Sequence, residues 1–190
     1  MSERSGAGRA HQGLRIRPAL PADMEAIQAI YAHHVLTGIA TFEEAPPDVG
    51  EMQLRHARIV EAGLPYLAAE HDGTVMGYSY AAAYRPRPAY RYTIEDSVYV
   101  AEGCDGRGVG SALLAALVAR CDQGPWRQMV AIIGNSANHA SIALHARAGF
   151  DTVGTIRAAG FKLGRWVDTV IMQRALGEGA KTPPEPSRDG

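Results

Sequence analysis

The segment from Glu95 to Phe150, with the two residues before it, constrains the fold more than any other part of this chain. An apolar strand, TIEDSVYV, precedes the glycine-rich turn GRGVGSALL, which opens a helix rich in alanine and leucine. A second strand, RQMVAIIG, then leads into a second helix, NHASIALHARAGF. Glycines allow the tight turn that brings consecutive backbone N–H groups and the positive end of a helix dipole to one point. This order of elements predicts an anion-binding site where the first helix begins.

The glycine turn contains Gly106, Gly108 and Gly110, and a diphosphate is the anion that fits it best. The rival interpretation is a Rossmann dinucleotide site, which needs an acidic residue for a ribose about 20 residues further on. No carboxylate occurs between Asp122 and Asp151, so the next strand ends without that residue. The sequence therefore disfavours dinucleotide binding and leaves a merely flexible turn as the other alternative.

The rest of the chain divides into two tails and one domain. Residues 1–13 and 177–190 are rich in glycine, proline, serine and charge, which predicts disordered tails around a single domain at 14–176. Periodicity within the domain predicts a first strand at 14–19, two helices ending near Gly38 and Gly63, and then a hairpin. The full order βααβββαβαββ predicts an α/β (α+β) fold, a mixed, mostly antiparallel sheet of about seven strands with about four helices on both faces.

Composition excludes several classes of function. The formal net charge of −1 gives no basic surface for nucleic acid or for an acidic membrane. No apolar run approaches the roughly 18 residues of a membrane span, and the first residues lack the hydrophobic core of a secretory signal. Cys104, Cys121 and the histidines lack metal-ligand spacing, and two cysteines make no disulfide framework. We therefore expect a cytoplasmic protein without a metal.

The second helix of the segment carries three polar residues on one face. Asn138 and His145 lie two helical turns, or roughly 10 Å, apart, with Ser141 between them. Such a face suits an extended cofactor, because one end can hold an amide of a pantetheine arm while the other meets its sulfur. Two simpler interpretations stay open. Asn138 is a favoured helix N-cap residue, and His145 suits a half-buried, hydrogen-bonded position.

Taken together, these motifs resemble the GNAT superfamily of N-acetyltransferases. The glycine loop after VYV, the N-x-x-S-x-x-L-H helix and the closing A-G-F carry the resemblance. The segments RPAYRYTIEDSVYV, GNSANHASIALHARAGF and IRAAGFKLGRW are similar to the branch of phosphinothricin and methionine sulfoximine acetyltransferases. The resemblance covers residues 14–176. It implies acetyl-CoA as co-substrate and a homodimer.

The resemblance also implies which residues bind the cofactor. Two β-strand residues would pair with the pantetheine, the loop 106–111 would hold the pyrophosphate, and Asn138 would hold the arm. The implied set is Val98, Tyr99, Val100, Gly106, Arg107, Gly108, Val109, Gly110, Ser111, Asn138 and Ser141. One position departs from the family, because Asp105 stands where the loop usually begins with glutamine or arginine. A carboxylate beside a diphosphate is unfavourable unless it points away, and Arg107 offers a compensating charge.

Acetyl transfer to an amine poses two proton problems, and the sequence offers one residue for each. The amine must lose a proton before it attacks, and Glu95, in the strand that leads to the glycine loop, matches the family's base. The departing thiolate must gain a proton, and His145 stands where the resemblance places a group near the sulfur. Asp96 lies on the opposite face of a regular strand from Glu95, unless the bulge that the resemblance implies disturbs the alternation.

The acceptor side rests on two segments. Thr41 and Phe42 resemble substrate-contacting residues of the branch, while Arg85, Arg87 and Tyr90 precede Glu95 and suit an anionic group. The alternative for the arginines is a pair of surface side chains on an extended segment. The expected reaction is transfer to a small amino acid of the phosphinothricin, methionine sulfoximine or methionine sulfone type. A protein N-terminal or polyamine acetyltransferase, or a non-catalytic acyl-CoA sensor, stays as an alternative.

Overall fold

The helices and strands form one seven-stranded sheet with helices on both faces. The structure is a computed structural model and describes residues 13–184. The elements are β1 Arg15–Pro18, α1 Met24–Thr37, α2 Val49–Glu61, β2 Tyr66–His71, β3 Thr74–Ala83, β4 Thr93–Val100, α3 Val109–Cys121, β5 Gln128–Gly134, α4 His139–Arg147, β6 Asp151–Lys162 and β7 Arg165–Ala175. The predicted fold class is confirmed, and the element order matches the sequence pattern.

Helix boundaries follow local signals in the sequence. The Asp48 side chain caps α2 by accepting a hydrogen bond from the Glu51 backbone N–H at 2.8 Å. Gly38 ends α1, and its N–H donates to the His34 carbonyl. Gly108, with φ of 78°, stands immediately before α3, in a conformation that glycine adopts without strain.

The sheet order is β1-β2-β3-β4-β5-β7-β6, and among these described strands β4 and β5 are the one parallel pair of neighbours. Their pairing stops at Asp96 and Ala131, while β4 continues along β3 to Val100 and β5 continues along β7 to Gly134. The two central strands therefore separate beyond this point, and we call the gap between them the fork. The bulge that the family resemblance implies is absent from the described pairing of β4 with β3, because each residue of one strand faces one residue of the other.

Two apolar cores lie on opposite faces of the sheet. On one face, α3 packs against β2, β3 and β4, and its Leu113, Leu114 and Leu117 belong to a buried cluster that extends to residues of β5 and β7. On the other face, α1 packs Ile27 and Tyr31 against β3 and β4. Burying both faces explains why β2 reads as a nearly continuous apolar run rather than as an alternating one.

The ends of the chain extend past the sheet. The predicted N-terminal tail, except residue 13, and residues 185–190 lie outside the described residues. Residues 177–184 follow β7, and Arg127 donates hydrogen bonds to Gly179, Thr182 and Pro183. None of the helices within residues 13–184 has the length and hydropathy that a membrane crossing demands.

Candidate active site

The fork leaves backbone groups of β4 without a strand partner. Ala101 donates its N–H to Met76 of β3, and Thr93 accepts from Tyr84, so the odd-numbered residues of β4 bond towards β3. In an antiparallel pair the intervening residues direct their N–H and C=O groups the other way. Val98 and Val100 therefore present theirs to the fork, where β5 has diverged. That edge can pair with an extended chain containing amides.

One of these fork-facing acceptors is already used. The Nε2–H of His34, on α1, donates to the Val100 carbonyl at 2.8 Å, and its ring lies 5.4 Å from that of Tyr99. His34 also lines the groove described next. No sequence spacing marks this residue, because its partner lies 66 positions away.

An open groove of about 570 Å³ runs from the fork to the start of α3. Gly106 and Gly108 both have positive φ, which lets the loop wrap around the start of a 13-residue helix. The groove is lined by nearly all the residues predicted to bind the cofactor. They are Val98, Tyr99, Val100, Gly106, Gly108, Val109, Gly110, Ser111, Asn138 and Ser141. Arg107 is exposed and is not part of the lining, whereas the exposed Asp105 is. The compensating charge expected from Arg107 is therefore not directed at the groove.

The polar face of α4 closes the groove. Asn138 is the N-cap of α4, and its Oδ1 accepts a hydrogen bond from the Ser141 N–H at 3.2 Å. The capping interpretation of Asn138 is thus correct, and its side chain still lines both the groove and the fork cavity. A cap uses only one acceptor atom, so the amide nitrogen stays available to a ligand.

His145 lies at the inner end of this face and is only 5 % exposed. Its Nδ1 donates to the Ser141 carbonyl at 2.8 Å, and its Nε2 lies 3.0 Å from Oδ2 of Asp96. The interpretation as a buried, hydrogen-bonded histidine therefore holds. His145 and Asp96 both line the small cavity of about 70 Å³ at the fork. Sequence analysis missed Asp96 as a partner of His145, because the two residues lie 49 positions apart.

Glu95 lies on the other face of β4. Its side chain is half-buried, and burial, helped by the charge of Asp96, raises the pKa of its carboxyl above the usual value against the opposing charge of Arg85. A carboxylate with a raised pKa is a better proton acceptor near neutral pH than a solvated one. The side chains of Asp96 and Glu95 thus lie on opposite faces of β4, as the alternation of side chains along a strand predicts.

The loop between α1 and α2 is held at three points, one on α1 and two on the sheet. The hydroxyl groups of Thr41 and Tyr31 are 2.9 Å apart. The buried Lys162, from the end of β6, donates from Nζ to the Thr41 carbonyl at 2.8 Å. The Ile39 carbonyl lies so close to Gly134 that a Cβ there would be 2.5 Å away. These contacts place Thr41, which is buried, and Phe42, which is exposed, beside the end of β5.

Arginines predicted to meet the acceptor lie on the segment before β4. Arg85, Arg87 and Tyr90 are exposed and line a shallow cavity of about 400 Å³. The Arg85 guanidinium lies over the Tyr84 ring at 5.0 Å, and its charge opposes the raised pKa of Glu95. Arg85 is therefore electrostatically linked to the candidate base, although the sequence favoured Arg87 for the role.

Another cavity, of about 220 Å³, lies under α2 on the Glu95 face of the sheet. Its lining is Tyr31, Met52, Arg55, Arg58, Ile59, Tyr66, Tyr78 and Tyr80. Tyr80 pairs in register with Ser97, and the charge of Glu95 is among the causes that raise the pKa of Tyr80, of which burial is the largest. The cavity therefore lies close to the candidate base. Sequence patterns mark these tyrosines only as strand and helix core.

Within residues 13–184, no cluster of three or more histidine, cysteine, aspartate or glutamate side chains could hold a metal ion.

The family of this chain follows from its similarity to known proteins. A family model described as an acetyltransferase (GNAT) domain matches residues 16–171. The chain belongs to the GNAT acetyltransferase family. It is an acetyltransferase, and the family resemblance that the motifs indicated is confirmed.

Relatives of this GNAT acetyltransferase include a phosphinothricin N-acetyltransferase from Alcaligenes faecalis. That protein is 54 % identical over 183 residues, which cover 96 % of this chain and 93 % of the relative. An L-methionine sulfoximine/L-methionine sulfone acetyltransferase from Pseudomonas paraeruginosa is 40 % identical over 162 residues, covering 85 % and 94 %. Both proteins therefore match almost the whole GNAT domain.

The fold is also similar to solved structures. A phosphinothricin acetyltransferase of the GNAT superfamily from Sinorhizobium meliloti, crystallised in complex with AcCoA, superposes with a TM-score of 0.89. It is 47 % identical and covers 92 % of this chain and 95 % of its own. A Salmonella typhimurium structure with acetyl-CoA gives a TM-score of 0.87 at 36 % identity, covering 91 % and 99 %.

Proposed function

We propose that this acetyltransferase transfers the acetyl group of acetyl-CoA to the amine of a small amino acid of the phosphinothricin, methionine sulfoximine or methionine sulfone type. The observation that carries the proposal is the fork, which opens onto a glycine-bounded groove and has a carboxylate on each side of β4. The named activities of the two relatives described above support the acceptor class.

The groove suits the chemistry of acetyl-CoA. The fork-facing amides of Val98 and Val100 would pair with the pantetheine arm, and the loop 106–111 would hold the pyrophosphate at the start of α3. Gly110 lies between the side chains of Leu144 and Val100, since a Cβ at this position would stand 3.5 Å from each, at ordinary van der Waals distance. Asp105 lies on the rim, where solvent screens its charge from a diphosphate.

Glu95 is the proposed base. An ammonium group cannot attack a thioester, so the acceptor must first give a proton to a nearby carboxylate or to a water held by one. Glu95 is half-buried, has a raised pKa and lies near the tyrosine-lined cavity. We propose that the acceptor amine is presented on this face of β4, and that His145 acts on the sulfur from the other face.

The acceptor itself is proposed to be held by the arginine segment and the α1–α2 loop. Arg85, Arg87 and Tyr90 offer guanidinium and phenol donors to a carboxylate or phosphinate. Thr41 and Phe42 would enclose the rest of the substrate. A charged hydrogen bond contributes roughly 1.5–3 kcal/mol. Loss of the correct guanidinium should therefore lower kcat/KM for the amino acid about 10- to 150-fold.

A homodimer is the proposed assembly. The hairpin of β6, the edge strand, and β7 carries several exposed apolar side chains, among them Phe161 at 57 %, Leu163 of the turn at 57 % and Trp166 at 68 %. Contiguous apolar groups of this kind mark association surfaces. The S. meliloti and A. faecalis relatives match the chain across these strands.

The deciding experiment is an acceptor screen with purified protein and acetyl-CoA, in which free thiol is measured. The proposal expects the highest kcat/KM for phosphinothricin, methionine sulfoximine or methionine sulfone. A preference for polyamines or peptide N-termini would contradict the acceptor class and favour those alternative acetyltransferases. Thermal stabilisation by acetyl-CoA without thiol release from any amine would favour the sensor.

A pair of variants tests the acceptor contacts. Arg87→Ala and Arg85→Ala should each be assayed for KM of the amino acid and, separately, for KM of acetyl-CoA. We expect one of them to raise only the amino-acid KM, with Arg91→Ala as the matched control because Arg91 donates to the Pro88 carbonyl on the same segment. Equal KM values in all four proteins would place the anion elsewhere.

A further inference from the structure

Asp96 and His145 form a buried pair where the fork begins. Their side chains are 1 % and 6 % exposed, and Nε2 of the ring lies 3.0 Å from Oδ2 of the carboxylate. Asp96 is also the last residue of β4 that pairs with β5, opposite Ala131. The pair therefore stands at the inner end of the space that leads to the groove, and both residues line it.

The hydrogen bonds determine how many protons the pair carries. The Ser141 carbonyl can only accept, so Nδ1 of His145 must carry a proton for the 2.8 Å contact. An ionised Asp96 also only accepts, so Nε2 must carry a proton as well, and the ring is then an imidazolium. Burial lowers the pKa of His145, but the hydrogen bond and charge of Asp96, with the Ser141 carbonyl, outweigh it and raise the pKa above the usual value.

The surroundings of the pair contain few other charges. Phe150 packs edge-on against the His145 ring at 5.2 Å between centroids. Burial, with smaller contributions from the charges of Asp122 and Asp96, raises the pKa of the Cys121 thiol on α3 to about 12. This thiol is therefore neutral. Glu95, the next carboxylate on β4, lies on the opposite face of the strand. Oδ1 of Asp96 has no hydrogen-bond partner among the described residues.

We propose that Asp96 is a positioning residue, which holds His145 in its doubly protonated form at the fork so that the ring can protonate the departing sulfur. This rests on the proposed function. As the C–S bond of the thioester breaks, its electron pair goes to sulfur, and the Nε2 proton of His145 leaves its hydrogen bond with Asp96 and moves to the sulfur, while Nδ1 keeps the proton that it donates to the Ser141 carbonyl. The ammonium acceptor loses two protons over the reaction; the thiol keeps one and the solvent receives the other.

The first test measures the ring itself. Histidine labelled with ¹⁵N and ¹³C is titrated by NMR in the wild type and in Asp96→Asn, whose amide can still donate to a neutral Nε2. An opposite charge at this distance typically changes a pKa by about 1–3, so we expect the pKa of His145 to fall by about that much in the variant. An unchanged pKa in the variant, or a wild-type value at or below the usual 6.5, overturns the proposal.

The second test is kinetic. If Asp96 acts through His145, the basic limb of the kcat–pH profile should move to lower pH in Asp96→Asn by the same interval as the pKa. The Asp96→Asn, His145→Gln double variant should then match His145→Gln alone in kcat. The positioning role would be overturned if the two substitutions lowered kcat independently, so that their effects multiplied in the double variant. It would also be overturned if Asp96→Asn lowered kcat by the same factor at every pH.

Two controls separate this role from folding and from the proposed function. Asp122→Asn removes a carboxylate that pairs with Arg174 at 3.2 Å and is not part of the fork cavity's lining, so it should leave the pKa of His145 and the pH profile unchanged. Should Asp96→Asn fail to fold, the wild-type titration still decides the outcome. NMR needs no acetyl transfer, so a raised pKa without activity would contradict only the proposed function.

Discussion

Gly134, the last residue of β5, allows the loop between α1 and α2 to approach the sheet more closely than any side chain would permit. A Cβ at this position would lie 2.5 Å from the Ile39 carbonyl oxygen and 3.1 Å from that of Ala40. Both contacts are backbone atoms, which cannot rotate away as a side-chain tip can. We therefore expect Gly134→Ala to push the loop that carries Thr41 and Phe42 away from the sheet.

The size of the effect follows from the geometry. Cβ contacts under 3.0 Å essentially never occur, so the loop must retreat by at least 0.5 Å, the difference between 3.0 and 2.5 Å. Overpacking of this kind costs about 1–3 kcal/mol. Because Gly134 does not have a positive φ, the reduced freedom of the unfolded chain offsets roughly 0.4–1 kcal/mol of this cost. A net loss of about 1–2 kcal/mol corresponds to a Tm decrease of roughly 2–8 °C for a domain of this size.

Two other glycines provide matched controls for calorimetry and steady-state kinetics. A Cβ at Gly154 meets nothing within 4 Å, so Gly154→Ala should leave the Tm unchanged or slightly higher. A Cβ at Gly160 would lie 2.9 Å from the ring edge of Phe42, which is 43 % exposed and can turn aside. Gly160→Ala should therefore cost less stability than Gly134→Ala.

The kinetic effect of this substitution should appear in the KM of the acceptor rather than in the KM of acetyl-CoA. Because Gly134→Ala displaces Thr41 and Phe42, we expect it to raise the KM of the amino-acid acceptor. The KM of acetyl-CoA should change less. The reasoning is refuted if Gly134→Ala and Gly154→Ala have equal Tm and equal acceptor KM, because the close approach to Ile39 would then have no energetic consequence.

Three further results are expected. Glu95→Gln should lower kcat at neutral pH about 10²-fold or more, and the loss should shrink at high pH as the amine deprotonates unaided; an unchanged kcat would remove Glu95 as the base. The Arg17 hydrogen bond, against the effect of burial, lowers the pKa of Asp23, so its stabilising contribution is present above a pH of about 4 and is lost as pH falls through the lowered pKa. Urea unfolding should accordingly show Asp23→Asn to be less stable than the wild type at pH 7, with a difference that narrows in acid. Trp166→Glu should give a monomer by light scattering if the exposed strands form the dimer, and an unchanged mass would exclude that surface.

Local sequence signals predicted the elements and much of the groove. The cap at Asp48, the stop at Gly38 and the glycines before α3 act within a few residues of the positions they control, so a pattern can reveal them. The groove-lining set came from the glycine loop and one helical face, because both are contiguous stretches. Arg107 of that set is exposed and lies outside the lining, and the direction of an exposed side chain depends on the space around it rather than on the local sequence.

Tertiary structure alone decided the partners of the buried polar groups. Asp96 meets His145 across 49 residues, and Lys162 meets the Thr41 carbonyl across 121 residues. Neither pair leaves a periodic trace, because each depends on how β4 and β6 are placed in the sheet rather than on spacing along the chain. A buried charge needs a partner, and only the assembled sheet determines which partner is within reach. The chain by itself thus determined where helices, strands and the glycine turn lie, whereas the separation of β4 from β5 brought the proton-carrying groups together at the fork.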